Sequence, residues 1–78
     1  MIRYFLVMNL KLERIRELRE DRDLTQAQMA KYLGCTQVCY SNYELGKRDI
    51  PLEQLIRLAD YYQVTVDYLL GRGEDRQP

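Results

Sequence analysis

Beyond residue 9, apolar side chains recur at three- and four-residue intervals, the period of amphipathic helices. Leu12, Ile15 and Leu18, with Arg19 beside them, mark one face of a first helix expected over residues 10–21, while Glu13, Arg16, Glu17 and Glu20 occupy its other faces. Leu24 to Met29 then carry a full helix start: Thr25 as N-cap, Gln28 as capping-box partner, and Leu24 against Met29 as a hydrophobic staple. The second helix is expected to run to Leu33, with Ala30 and Leu33 inward and Gly34 as its left-handed stop. Thr36 caps a third helix, residues 37–45, with Cys35 stapled against Tyr40 and Gly46 as terminator. Two helices joined this tightly must turn sharply. Pro51 suits the first turn of a fourth helix whose stripe reads Leu52, Leu55, Ile56, Ala59 and Tyr62. Thr65 caps a short fifth helix with Val66, Leu69 and Leu70 inward, ended by Gly71.

No strand alternation, repeat or low-complexity run follows residue 8, so the expected fold class is all-α. The architecture is a compact five-helix bundle with a central helix-turn-helix over residues 10–71, a short apolar N-terminal extension (1–9) and a polar tail (72–78). Seventy-eight residues suit one domain with one core and leave no room for a separate effector domain. Ile2 to Met8 carry one charge and are too few to span a bilayer or to serve as a secretory signal, so no membrane association is expected. This stretch reads as an added strand, an extension covering a groove, or a leader upstream of a second start at Met8.

Composition narrows the chemistry. The chain contains no His, which removes the commonest general base and the commonest metal ligand together. An enzyme is therefore not expected. Cys35 and Cys39 without imidazole leave a zinc site two N/S ligands short, and two close thiols without a signal sequence suit a reducing cytoplasm. Each Cys reads as a small apolar filler, and no metal, cofactor or small-molecule ligand is implied. Twelve basic and twelve acidic residues cancel. Their distribution does not: residues 24–48 hold Lys31, Lys47 and Arg48 against Glu44 alone, whereas residues 49–78 hold three basic against six acidic groups. The centre of the chain is its basic part.

A wheel of the third helix at ~100° per residue places Thr36, Tyr43 and Glu44 with Tyr40 on the inner side. Val38, Asn42 and Leu45 point the opposite way, and Gln37 and Ser41 flank them. That face is short, mostly polar and uncharged. It is poor material for a core, and it suits a helix that reads base edges through amide hydrogen bonds, with an apolar side chain against a thymine methyl. Lys47 and Arg48 in the following loop, and Gln26 at the start of the second helix, are placed to hold phosphates. An ordinary solvated helix face and plain surface charges are the competing readings. Tyr40 and Tyr43 read as core; Tyr61, Tyr62 and Tyr68 read as core or as a pairing surface.

The segments Thr25-Gln26-Ala27-Gln28-Met29-Ala30, Gly34-Cys35-Thr36-Gln37, Asn42-Tyr43-Glu44-Leu45-Gly46-Lys47-Arg48 and Val64-Thr65-Val66-Asp67-Tyr68-Leu69-Leu70-Gly71 have an ordered spacing. Together they resemble the lambdoid phage repressor and Cro family of helix-turn-helix DNA-binding domains, the xenobiotic-response-element type. The resemblance covers about residues 10–71. It implies a sequence-specific regulator of transcription, most simply a repressor, whose third helix enters the major groove of double-stranded DNA. It implies base-facing roles for Gln37, Val38, Ser41 and Asn42, phosphate contacts from Gln26, Lys47 and Arg48, and an internal salt bridge between Arg19 and Glu44. A homodimer on a pseudo-palindromic operator is expected, paired around helix five through Tyr68 and Leu70, or through residues 1–8. Val38, Cys39 and Tyr40 are more apolar than in many relatives. The alternative is an antitoxin or protein-interaction module on the same fold with DNA contact secondary, which zero net charge and the acidic C-terminal third keep open.

Overall fold

A computed structural model describes residues 12–72; residues 1–11 and 73–78 lie outside the described part, and with them the expected N-terminal extension and most of the tail. Five helices follow one another among the described residues: α1 Glu13–Asp21, α2 Gln26–Leu33, α3 Gln37–Leu45, α4 Leu52–Tyr62 and α5 Val66–Leu69. The all-α expectation is met, with no strand among these residues.

Local chemistry accounts for most of the boundaries. Thr25 accepts from the Gln28 N–H at 3.0 Å, and the Gln28 side chain accepts from the Thr25 N–H at 2.7 Å, a complete capping box. Thr36 and Thr65 cap α3 and α5 in the same manner, accepting from the Cys39 and Tyr68 N–H groups. Gly34 ends α2 at φ 73° and Gly46 ends α3 at φ 75°, conformations that cost glycine least. Gln63 ends α4 in the same left-handed region at φ 58°, where a side chain has to be tolerated.

Three expectations are corrected. α1 begins at Glu13, not near residue 10, because Leu12 (φ −99°, ψ 72°) is non-helical while its side chain is buried. A buried leucine one turn ahead of Ile15 satisfies the apolar period whether or not its backbone is helical. On α4, Leu52 and Ile56 are exposed and Leu58 is in the core with Leu55, Ala59 and Tyr62. This helix is apolar around more than half its circumference, so periodicity admits two stripes and packing selects one. Pro51 also stands one residue ahead of α4, extended, rather than in its first turn.

The core gathers Leu12, Ile15 and Leu18 of the α1 region, Met29, Ala30 and Leu33 of α2, Tyr40 and Tyr43 of α3, Ile50, the α4 stripe, Val64 and Leu69. Every helix thus contributes to one core. Polar ties fix their relative placement: Arg14 donates to the Tyr68 carbonyl at 3.0 Å and stacks over its ring, joining α1 to α5. Gln54 donates to the Leu33 carbonyl at 3.0 Å, joining α4 to the end of α2. Tyr68 is therefore half-buried against Arg14, while Tyr62 is core and Tyr61 exposed.

Candidate nucleic-acid interface

The angle between α2 and α3 is set over three residues. The Cys35 N–H donates back to the Ala30 carbonyl at 3.0 Å after left-handed Gly34, and Thr36 then opens the next helix. α3 packs inward through Tyr40, Tyr43 and Glu44, which turns Gln37, Val38 and Leu45 to the surface, with Ser41 and Asn42 half-exposed. Val38 is 71 % exposed, an apolar group on an uncharged face. One shallow groove is lined by Gln26, Gln37, Val38, Ser41 and Asn42. The residue that begins α2 and four of α3 thus share a single surface. Lys47 and Arg48 lie outside that groove, exposed in the loop after α3, with the Lys47 N–H bound to the Asn42 carbonyl at 3.0 Å.

Behind this face lies a buried ionic centre. Arg19 of α1 donates from Nε to Glu44 Oε2 at 2.8 Å and from Nη2 to Oε1 at 3.3 Å, a fork-to-fork pair, and from Nη1 to the Leu24 carbonyl at 2.9 Å. The side chains are 12 % and 3 % exposed. Gln26 Nε2 also donates to Glu44 Oε1, at 3.1 Å. Sequence reasoning missed this role of Glu44 as the anchor of Gln26, since the eighteen-residue separation carries no local signal. The Tyr40 hydroxyl is turned toward the same carboxylate without reaching hydrogen-bond geometry. Burial by itself would raise the Glu44 pKa, but the donors facing it, Arg19 first, hold it below the ordinary carboxylate range. Burial pushes Tyr43 up to about 12, with the Cys39 thiol beside it adding to the effect.

A larger groove between α1 and α3 is lined by Glu13, Arg16, Glu17, Arg19, Glu20, Gln26, Glu44 and Leu45. Its arginines are already paired, Arg16 with Glu20 and Arg19 with Glu44, so it offers an outside anion little unspent positive charge. Among the described residues no group of three or more His, Cys, Asp or Glu is placed to hold a metal, and no helix is long and apolar enough to cross a membrane.

A family model described as helix-turn-helix matches residues 15–69. The chain is 39 % identical over 66 residues to the uncharacterized HTH-type transcriptional regulator YobD of Bacillus subtilis, covering 85 % of this chain and 59 % of that protein. It is 38 % identical to the HTH-type transcriptional regulator AnsR of the same organism, over 87 % of this chain and 59 % of the relative. It is 37 % identical to the cryptic phage CTXphi transcriptional repressor RstR of Vibrio cholerae serotype O1, over 77 % of this chain and 54 % of the relative. The chain spans between half and three-fifths of the length of these proteins. No solved structure gives a significant match. The matched segment contains the whole of α2, the turn and α3, and the chain belongs to the helix-turn-helix family in its phage-repressor-like, xenobiotic-response-element branch.

Proposed function

We propose that this chain binds double-stranded DNA in a sequence-specific manner and regulates transcription, with α3 in the major groove. The observation that carries the reading is the uncharged face of Gln37, Val38, Ser41 and Asn42, which shares its groove with Gln26. Amides and a hydroxyl on an exposed helix match the donor and acceptor pattern of base edges, and an apolar Val38 fits a thymine methyl. Gln26, held by Glu44, presents the rest of its amide to one phosphate strand. Lys47 and Arg48 meet phosphates at the other end of the helix. Repression by occluding polymerase is the simplest outcome, and the likeness to RstR, named a transcriptional repressor, supports it. A domain of this size contacts few base pairs, so two copies on a pseudo-palindromic site with half-sites roughly 34–36 Å apart would supply the specificity, in the cytoplasm where the DNA lies.

The test is selection of bound duplexes from a random pool, followed by titration of the selected site with salt. A two-fold-symmetric consensus is expected, with log affinity falling linearly against log salt and Lys47→Ala or Arg48→Ala each shallowing the slope by about 1. Gln37→Ala should alter which site is preferred by ~1–3 kcal/mol, whereas Gln26→Ala should weaken all sites alike. Equal losses on matched and mismatched sites for both glutamine variants would refute this division of labour, and salt-indifferent or absent binding would refute the function.

A further inference from the structure

Arg19 and Glu44 hold Gln26 from two directions. Arg19 Nη1 donates to the Leu24 carbonyl at 2.9 Å, which pins the chain one residue ahead of Thr25, the N-cap of α2. Gln26 is the first residue of that helix, so this bond steadies the point from which its side chain starts. Glu44 holds the far end. Its Oε1 accepts from Gln26 Nε2 at 3.1 Å and from Arg19 Nη2 at 3.3 Å, while Oε2 takes the shorter bond from Arg19 Nε at 2.8 Å. A carboxylate offers acceptors only, so the Gln26 amide turns its nitrogen inward. One of its two N–H groups is engaged there, which leaves the second for a ligand in the groove that Gln26 shares with Gln37, Val38, Ser41 and Asn42.

We infer that Arg19 and Glu44 are positioning residues for DNA binding: they preset the Gln26 amide, so that its second N–H meets a phosphate oxygen without first having to be ordered. The inference rests on the proposed DNA binding and gives a part in it to two largely buried side chains behind the recognition surface. Stability alone is a weak reason for such a pair. A buried ion pair replaced as a unit by apolar side chains often leaves a protein as stable or more so, because both charges had to be stripped of water. Ordering, by contrast, favours it directly. A long, flexible glutamine that is first fixed on its ligand loses rotamer freedom at that moment, and fixing it beforehand removes that cost from binding. Among the printed contacts of Gln26, the bond to Glu44 is the one that ties its amide to another helix.

The test replaces the pair as a unit, with Arg19→Met and Glu44→Leu together, which leaves the net charge of the chain and its long-range attraction to phosphates unchanged. Affinity for the selected duplex is measured for the wild type, the paired variant, Gln26→Ala, and Gln26→Ala in the paired variant, each checked for an intact helical circular dichroism spectrum. Gln26→Ala should lower affinity in the wild type, and its effect should be about 3- to 10-fold smaller once the pair is gone, which a purely structural pair would not produce. The salt slope should be the same in all these proteins, since none of the changes alters net charge. A second readout needs no DNA: NMR relaxation of side-chain amides in the free wild-type chain should show that of Gln26 rigid, and in the paired variant as mobile as that of exposed Gln37. Equal losses from Gln26→Ala in both backgrounds, or a Gln26 amide as mobile as that of Gln37 in the wild type, would overturn the inference alone. Absence of any bound duplex would refute the proposed function and this inference with it. The wild-type amide is the deciding measurement if the paired variant fails to fold.

Discussion

Replacing Arg19 by alanine tests the buried ionic centre most directly. The change removes both hydrogen bonds to Glu44 and the one to the Leu24 carbonyl, and leaves a carboxylate 3 % exposed with only Gln26 donating to it. Stranding one member of a buried pair costs about 3–5 kcal/mol, against a total stability for a domain of this size of about 4–12 kcal/mol. Urea denaturation followed by circular dichroism at pH 7 should therefore show Arg19→Ala close to the edge of folding. Glu44→Gln should cost less, because the partly exposed Arg19 can then turn toward water. The pH dependence supplies the sharper test. The native Glu44 pKa lies below its ordinary 4.5, so its contribution is complete above that value and is lost as pH falls through the depressed native value. In Arg19→Ala burial acts unopposed by the guanidinium, the carboxyl prefers its proton, and the difference from wild type should shrink as pH falls from 7 toward 4. A loss below about 1 kcal/mol, the size of an exposed pair, or a difference constant across that range, would refute the reasoning.

Three further outcomes follow from the packing. Leu58→Ala should cost ~2–5 kcal/mol and Ile56→Ala less than about 1, because Leu58 is fully buried and Ile56 is 44 % exposed; equal losses in urea melts would show the α4 stripe misplaced. Gln63→Val should destabilise by about 1–2 kcal/mol, because a β-branched side chain strains at φ 58°, whereas Gln63→Gly should come within about 0.5 kcal/mol of wild type despite losing its bond to the Asp60 carbonyl. Thermal melts that rank the two the other way would contradict the left-handed cap. Thr36→Ala should cost ~1 kcal/mol through the lost cap of α3, and Thr36→Ser should restore most of it.

The sequence by itself determined where α2, α3 and α5 begin and where α2 and α3 end, because caps and left-handed glycines act within four residues and leave their mark in local residue order. It likewise determined that α3 turns Tyr40, Tyr43 and Glu44 inward and Val38 outward, since a nine-residue helix with three large inward groups has one workable orientation. Packing decided what periodicity left degenerate. Leu58 rather than Ile56 enters the core because α4 must close over Val64 and Leu69, and Leu12 is buried from outside its helix because burial constrains a side chain, not its backbone. The convergence of Arg19, Gln26 and Glu44 also belongs to the tertiary structure. Three side chains on three helices meet only once the core has set the crossing angles, and that meeting ties Gln26 to the surface shared by Gln37, Val38, Ser41 and Asn42.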